Sequence, residues 1–340
     1  MRLVELYDDY QDVFNDFVGA QPQSQFLQSW QWGEFQRALN RNVWRIGIKQ
    51  SNQFISTAQI VSHHLPLGKS YLYLPRGPIL MPGLDLQTQR QIIELYLSKA
   101  RDIAYATKKE NEIFLRLEPV QGCSEEAILP LPLQKKSSIQ PQHTQIIDLE
   151  LDEKILLENM HQKTRYNINL AKKKGVRIIQ SNKEEDLKKF IHLAKLTAAR
   201  ANFEIWSDQY YHQMFAALSK EKMISIWLAE YEKETLVANL AINYGDTVTY
   251  LHGGSANKYK ELMAPHLLQW QQILWARNND YRYYDFWGTA PEGSKKEKMW
   301  QGITRFKQGF GGEQINYPGT YDFIYDNTWY QLYNFVKKFR

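Results

Sequence analysis

The hydrophobic pattern changes period along the first part of the chain. Apolar runs rich in β-branched and aromatic residues predict three strands within residues 43–80, and the turn sequences SN and LGK separate them. Apolar residues then recur at helical spacing, and a short β-rich run follows. In chain order these segments are VWRIGIKQ, ISTAQIVSHHLP, SYLYLPRGPIL, the helix LQTQRQIIELYLSKARDIAYATKK and IFLRLEP.

Residues 223–287 repeat the same order of elements. Three strands, a glycine-containing loop, a helix and a closing strand are predicted again. Two copies of this order indicate an α+β fold made of two related units. The second set is ISIWLAEYEKE, TLVANLAINYGD, TVTYLHGGS, the helix PHLLQWQQILWARNN and YRYYDFWG.

The segment between the repeats has a different composition. SSIQPQHTQ is predicted as a linker, IIDLEL as a strand, and DEKILLENMHQKTRYNINLAKKKG as one or two helices that end at Gly175. Residues 183–220 carry two more helices, with a break at ARANFEIWSD. The sequence has no long heptad run, so no protruding coiled coil is expected.

Composition places the chain among globular proteins. Hydrophobic residues make up 43% and charged residues 23%. The sequence shows neither a signal-peptide pattern nor an apolar stretch of membrane-spanning length, so we expect a cytoplasmic protein, with contact at the inner membrane face allowed. The net charge of +5 suits an anionic partner such as a nucleotide, a phospholipid head group or RNA.

Few residues suggest metal or thiol chemistry. The single cysteine, Cys123, excludes an intrachain disulfide and a multi-cysteine zinc site, and we expect it to be a buried, unactivated residue. The eight histidines form no ligand spacing, so no metal site is predicted. The chain also lacks the usual sequence motifs of P-loop ATPases, dinucleotide oxidoreductases, zinc proteases and α/β-hydrolases.

Three stretches and two acidic residues could carry chemistry, and each has an alternative interpretation. RFKQGFGG places Lys307 before its glycines in a β-like context, which disfavours a phosphate loop and predicts that GFGG is the turn after a strand. LHGGS either exposes backbone N–H groups to a ligand or forms a tight turn. A basic stretch, HQKTRYNINLAKKKGVRI, contains six Lys or Arg and no acid. It either contacts phosphates or forms ordinary solvated surface. Glu118 and Asp285 are predicted at strand ends. There they either face a cleft or cap the next turn.

Together, several stretches resemble the FemABX family of non-ribosomal peptidyltransferases. The resemblance implies two tandem GNAT-like domains, each a mixed, mostly antiparallel sheet flanked by helices, as in the compact members without a coiled-coil arm. Domain 1 would span residues 1–145, completed by 316–340, and domain 2 would span 146–315. The stretches are FLQSWQWGEFQ (26–36), YLPRGPIL (73–80), FLRLEP (114–119), KTRYNINLAKKKGV (163–176), YLHGGS (250–255), YYDFWG (283–288) and RFKQGFGG (305–312).

The resemblance also implies an activity. Family members transfer an amino acid from aminoacyl-tRNA to the amine of a peptidoglycan stem peptide, on UDP-MurNAc-pentapeptide or a lipid-linked precursor. No cofactor beyond aminoacyl-tRNA and no metal is implied, and we expect a monomer. Two alternatives stay open: an N-acyltransferase that uses acyl-CoA on an envelope sugar or lipid, and a non-catalytic RNA-binding or envelope-binding protein on the same scaffold.

Site residues follow from the positions that match the family pattern. Lys307 is expected to stabilise an oxyanion or contact a substrate phosphate, and Glu118, where compact members have Asp, to orient or deprotonate the amine. Three of the substrate positions depart from the compact pattern, since Gln36 replaces a lysine, Trp206 a basic residue and His252 a tyrosine. The expected substrate-binding residues are Gln36, Arg76, Lys163, Arg165, Trp206, Tyr210, Tyr250, His252 and Phe306.

Overall fold

The structure is a computed structural model that describes residues 1–106, 112–120, 122–290, 293–294 and 297–337. The chain forms two compact units. Unit 1 comprises Met1–Gln21, Leu27–Gln142 and Tyr317–Arg340, and unit 2 comprises Pro22–Phe26 and His143–Asn316. Within the described residues, no helix is both long and apolar enough to cross a membrane.

Unit 1 is built on a sheet of mixed direction. The strands are β1 (Arg2–Glu5), β2 (Val43–Gln50), β3 (Gln53–His64), β4 (Ser70–Leu74), β5 (Ile79–Leu80), β6 (Glu112–Leu117), β7 (Gln134–Lys136) and β15 (Thr320–Ile324). Their order is β1-β2-β3-β4-β6-β15-β7, and β5 pairs with β3. Only β4 and β6 run parallel among the described pairs.

Helices cover the sheet of unit 1 because their apolar stripes face it. The longest helix buries Ile92, Ile93 and Tyr96 in a core shared with Ile46 and Leu115. The helices are α1 (Gln11–Gly19), α2 (Trp30–Ala38), α3 (Leu86–Ala106), α4 (Glu125–Ile128) and α11 (Asn327–Lys337).

A buried ion pair joins the C-terminal strand of unit 1 to its neighbour. Nε and Nη2 of Arg116 on β6 donate to the two carboxylate oxygens of Asp322 on β15, each at 2.7 Å. Tyr330 donates to the same carboxylate at 2.7 Å. These bonds satisfy charges that would otherwise destabilise the core.

Unit 2 is built on a second mixed sheet. Its order is β14-β8-β13-β12-β11-β10-β9, and only β12 and β13 run parallel among the described pairs. The strands are β8 (His143–Asp148), β9 (Arg177–Ser181), β10 (Ile224–Tyr231), β11 (Glu234–Tyr244), β12 (Thr247–Ser255), β13 (Tyr283–Thr289) and β14 (Glu313–Asn316). The helices are α5 (Glu153–Asn159), α6 (Gln162–Lys173), α7 (Glu184–Ala201), α8 (Asp208–Ser219), α9 (Ala264–Asn278) and α10 (Glu297–Gln308).

The repeated order of elements is present in both sheets. In unit 1, β2, β3 and β4 are followed by α3 and the parallel strand β6, and in unit 2, β10, β11 and β12 are followed by α9 and the parallel strand β13. The predicted α+β fold of two mixed sheets flanked by helices is confirmed. Helices α7 and α8 do not form a coiled-coil arm, since α7 packs against β11 and β12 of the sheet.

Residues 22–26 belong to unit 2, although they lie between two helices of unit 1 in the sequence. The Ser24 hydroxyl donates to the Asp246 carboxylate at 2.8 Å, and the Phe26 ring lies 5.4 Å from the Trp287 ring. No hydrophobic period predicts this placement, because it depends on one polar contact and one aromatic contact distant in sequence.

Candidate active site

The two parallel strands at the centre of unit 2 separate partway along their length. β12 and β13 pair over only three residues each, Thr247–Thr249 of β12 with Tyr283–Asp285 of β13. Beyond that point each strand is irregular against its other neighbour. The pairing of β12 with β11 changes register between Leu240 and Ala241 of β11, and the pairing of β13 with β8 changes register between Asp285 and Gly288 of β13. Bulges of this kind bend a strand and end its pairing. The strands therefore diverge and leave a gap in the sheet.

Asp285 stabilises the irregular backbone beside this gap. The Thr144 hydroxyl and the Trp287 backbone N–H, at 2.7 Å, both donate to the carboxylate, which is buried. Trp287 has a φ of 59°, a conformation that bulky residues rarely adopt. The expectation that Asp285 ends its strand is wrong: it is the third residue of β13 and lies where pairing with β12 stops.

Lys307 lies on a helix, so the prediction of a β-like context is wrong. It occupies the last turn of α10, which buries Thr304 and Lys307 at helical spacing. The glycines form the helix exit, with φ values of 84° at Gly311 and 81° at Gly312. A Cβ on Gly312 would lie 2.2 Å from the Ile146 carbonyl oxygen, so only glycine fits there. GFGG is thus a turn, but it follows a helix.

The Lys307 ammonium points to the gap between the strands. Its Nζ donates to the Gly288 carbonyl at 2.7 Å and lies 5.6 Å from the centre of the Tyr250 ring. Burial lowers the pKa of Lys307 to about 7, and the negative charge of Asp285 partly opposes this shift. Charged and neutral forms are therefore both populated near neutral pH. Buried lysines with a pKa shifted in this way are concentrated at functional sites.

The aromatic ring of Tyr250 lies beside this lysine. Burial raises the pKa of Tyr250 to about 12, so its phenol stays protonated. The partly buried Phe306 ring packs edge-on against His266 at 5.1 Å and Phe310 at 5.4 Å, at the margin of the core of unit 2. Of the predicted substrate residues, the structure brings Tyr250 directly to Lys307.

The Gly253–Gly254 pair is explained by close packing. Both residues lie within β12, so the tight-turn interpretation is wrong. A Cβ on Gly253 would lie 2.0 Å from the Tyr250 hydroxyl oxygen, and one on Gly254 would lie 2.5 Å from the backbone of Leu193 on α7. The glycines therefore admit Tyr250 on one side of the strand and α7 on the other.

His252, Trp206 before α8, and two tyrosines in the first turn of α8 form an aromatic group in unit 2. The His252 ring meets the Tyr211 ring edge-on at 5.5 Å, and burial lowers the pKa of His252 to about 4, so it is neutral. Trp206 stacks on Tyr210 at 4.7 Å and is 54% exposed. Ser207, the N-cap of α8, accepts from the Tyr210 N–H at 3.2 Å and fixes this stack. The stack presents a flat surface suited to a ring-shaped ligand.

The two predicted cations of α6 differ in environment. Arg165 donates through Nη1 to the Leu157 and Glu158 carbonyls at 3.2 Å, and so caps the C-terminus of α5. Lys163 is exposed on the solvent side of the same helix. Lys163 is therefore available to an anionic ligand, whereas Arg165 already has a structural role.

Glu118 belongs to unit 1 and follows β6, as the sequence predicts. Its buried carboxylate accepts hydrogen bonds from the Tyr73 and Thr320 hydroxyls, the latter at 2.7 Å, and from the Ile139 N–H at 2.7 Å and the Gln140 N–H at 3.2 Å. A direct role toward an amine would require one of these donors to move.

Arg76 and Gln36 are likewise internal to unit 1. Arg76 is 2% exposed, donates to the Pro141 carbonyl at 2.6 Å, and stacks its guanidinium 3.4 Å from the Tyr317 ring centre. The Gln36 side-chain oxygen accepts from Arg41 at 2.6 Å. In this structure both side chains contact protein groups.

Sequence reasoning missed the role of the backbone around Lys307. The Gly288 carbonyl depends on the bulge at Trp287, and no residue pattern predicts a bulge held by a carboxylate. The helical spacing of Thr304 and Lys307 could have shown that the segment before GFGG is a helix. Among the described residues, no group of three or more His, Cys, Asp or Glu could hold a metal ion.

Comparisons with known proteins agree with this architecture. The sequence profile of the FemAB family matches residues 10–128, 131–240 and 226–338. A lipid II:glycine glycyltransferase of Staphylococcus saprophyticus is 22% identical over 99% of this chain and 96% of its own length. One from Staphylococcus aureus is 21% identical, over 94% and 93%.

Solved structures show the same fold. A crystal structure of FemX matches with a TM-score of 0.83 at 20% identity, over 98% of this chain and 99% of that one. A tandem GNAT protein from the clavulanic acid biosynthesis pathway matches with a TM-score of 0.56 at 9% identity, over 95% and 98%. The chain therefore belongs to the FemAB family and is an aminoacyltransferase with two GNAT-like units.

Proposed function

We propose that this enzyme transfers an amino acid from aminoacyl-tRNA to the amine of a peptidoglycan stem peptide carried on a lipid-linked precursor. The observation that carries the proposal is the buried Lys307 ammonium at the separation of β12 and β13. The choice of acceptor is supported by the staphylococcal relatives, whose names specify lipid II. The proposed product is a modified precursor for cell-wall peptidoglycan.

The reaction is an aminolysis of an ester. The neutral amine attacks the ester carbonyl, a C–N bond forms, and the ester C–O bond breaks as the tRNA ribose oxygen leaves. The amine loses a proton and the ribose oxygen gains one, so no net proton is released. The ester is already activated, so the proposed reaction needs no cofactor beyond aminoacyl-tRNA. The enzyme supplies position and charge stabilisation.

Lys307 is the proposed oxyanion stabiliser. A protonated lysine has three donors, so the bond to the Gly288 carbonyl leaves donor capacity for a substrate oxygen. Because the site is buried, this charge is poorly screened by water and interacts strongly with a developing oxyanion. Removing one such donor typically lowers turnover by about 10²–10³-fold.

The other site residues are proposed to bind the two substrates, and the structure supports some of these roles more strongly than others. Lys163 is the strongest candidate for a contact with an RNA phosphate. It is exposed on α6, and residues 161–183 around it contain no acidic residue. The Trp206–Tyr210 stack is proposed to hold a sugar or peptide ring, with Tyr250 and His252 lining the same unit. Glu118 is proposed to orient the amine. The last proposed substrate contacts are Gln36, Arg76, Arg165 and Phe306.

The decisive experiment measures the mass of the precursor after reaction. The purified protein would be incubated with a mixture of charged tRNAs and with lipid-linked or nucleotide-linked precursor. We expect one aminoacyl residue to be added to the lipid-linked form. A mass increase that requires acyl-CoA instead would assign the enzyme to the alternative N-acyltransferase function.

A second experiment tests the RNA contact. Because each phosphate contact releases a counterion, tRNA binding should weaken with salt, and Lys163→Gln should lower the salt slope by about one. Lys220→Gln, an exposed lysine elsewhere in unit 2, is the matched control and should leave the slope unchanged. An unchanged slope in Lys163→Gln would remove this residue from the tRNA surface.

A further inference from the structure

Unit 1 contains an apolar groove that the proposed transfer reaction does not use. The groove has a volume of about 510 Å³ and lies between the β3–β4 connection and α11. This volume falls in the range of sites that bind small hydrophobic ligands. Its apolar lining is Leu65, Pro66, Leu67, Tyr71, Ile113, Trp329, Leu332, Tyr333 and Val336.

Helix α11 turns apolar side chains toward solvent beside this groove. Tyr330 anchors the helix in the core of unit 1, where its ring lies 5.2 Å from Phe114. Leu332, Phe335 and Val336 are 44%, 59% and 46% exposed. A helix at a protein surface normally shows polar residues on its outer face, so exposed apolar residues grouped on one helix indicate a binding surface.

Leu67 projects from the opposite side of the groove. It is 78% exposed and adopts the left-handed conformation, with φ 63° and ψ 29°. A branched aliphatic residue is unfavourable in that conformation, and this one gains little burial within the chain. Strain of this kind is typical of functional positions. A hydrophobic partner would bury the side chain that the fold leaves exposed.

The charges around the groove are positive. Lys69 places its Nζ 4.7 Å from the Trp329 ring centre, and Lys337 places its Nζ 6.0 Å from that of Tyr333. A second cavity of about 390 Å³, on the other side of α11, is lined by Lys136 and Lys337 together with Arg116, which is paired with Asp322. Among the described residues, no acid lines either cavity.

We propose that this face of unit 1 docks on an anionic lipid bilayer. Leu67, Leu332 and Val336 would enter the acyl region, and Lys69, Lys136 and Lys337 would contact head-group phosphates. Apolar side chains with flanking lysines are the combination that binds helices to membrane interfaces. A protein partner would need acidic groups matched to a groove whose lining is mainly apolar. The proposal does not depend on the identity of the transferred group.

Vesicle binding by the full chain tests this proposal. We expect co-sedimentation with vesicles of one-third phosphatidylglycerol in phosphatidylcholine, and binding at least about tenfold weaker to phosphatidylcholine alone. Leu67→Asn should weaken binding about tenfold, since a buried leucine is lost. Lys69→Gln should weaken it about fivefold.

Matched variants separate binding from folding. Asparagine tolerates the left-handed conformation, so Leu67→Asn should melt at the same temperature as the parent or higher. Leu129→Asn, at a residue 66% exposed elsewhere in unit 1, and Lys188→Gln, at an exposed lysine of unit 2, should leave binding unchanged.

Three results would overturn the proposal: no binding, equal binding to both vesicle types, or equal losses in the control variants. Concentration-dependent self-association that Leu67→Asn abolishes would instead assign this face to a second copy of the chain. None of these results bears on transferase activity, which is measured separately with precursor and tRNA.

Discussion

Replacing Lys307 by methionine should make the enzyme more stable and much less active. Methionine keeps the length of the side chain and removes its charge. Burial lowers the lysine pKa from 10.5 to about 7, and at about 1.4 kcal/mol per tenfold change this destabilises the fold by up to about 4 kcal/mol at pH 7. Loss of the bond to the Gly288 carbonyl offsets about 1 kcal/mol. We expect a net gain of about 2–3 kcal/mol in the free energy of unfolding.

The pH dependence has a definite sign. Between pH 7 and 10.5 the unfolded chain binds more protons at Lys307 than the folded chain, so the wild-type stability rises with pH through this window. The advantage of Lys307→Met should therefore be largest below pH 7 and disappear toward pH 10.5. Urea unfolding of both proteins at several pH values measures this difference.

The same variant should lose activity for an independent reason. Without the ammonium, turnover should fall by about 10²–10³-fold. Arg305→Met, which removes an exposed cation from the same helix, is the matched control and should change neither stability nor turnover appreciably. A variant at Lys307 that is less stable than the wild type would contradict the burial argument, and one with unchanged turnover would remove Lys307 from the mechanism.

Three substitutions and one labelling reaction test the fold. Gly312→Ala should lower the free energy of unfolding by about 2 kcal/mol or more, because its Cβ would meet a backbone carbonyl, whereas Gly302→Ala inside α10 should raise it by about 1 kcal/mol; urea titration compares them. Asp322→Asn should cost about 3–5 kcal/mol in the same assay, since it leaves the Arg116 charge buried and uncompensated, and a loss under 1 kcal/mol would contradict that ion pair. Cys123, whose pKa burial raises to about 12, should not react with a thiol reagent until the protein unfolds, and rapid labelling of the native protein would show that it is accessible.

The main strands and the central helices of the two repeats were predictable because each carries a clear hydrophobic period. VWRIGIKQ coincides with β2, and the helix-periodic stretch that begins at Leu86 coincides with α3 up to Ala106. Gly175 ends the α6 region with a φ of 85°, as a glycine after a helix should. These are local properties, so one sequence is enough to read them.

Two parts of the site could not be predicted from local pattern. The helical spacing before GFGG is local, but the contact of the Lys307 ammonium with the Gly288 carbonyl joins residues distant in sequence. Arg165 looks like a phosphate ligand in sequence, but three-dimensional proximity to the end of α5 gives it a capping role. The spacing of residues in the sequence does not show which side chains contact residues far along the chain.

Aminoacyl transfer that depends on Lys307 can be measured by the mass of a lipid-linked precursor after incubation with charged tRNA and either wild-type protein or Lys307→Met. We expect the wild type to add one aminoacyl residue and the variant, although folded and more stable, to add it about 10²–10³-fold more slowly. Equal rates for the two proteins, or addition that requires acyl-CoA in place of charged tRNA, would contradict the proposed mechanism.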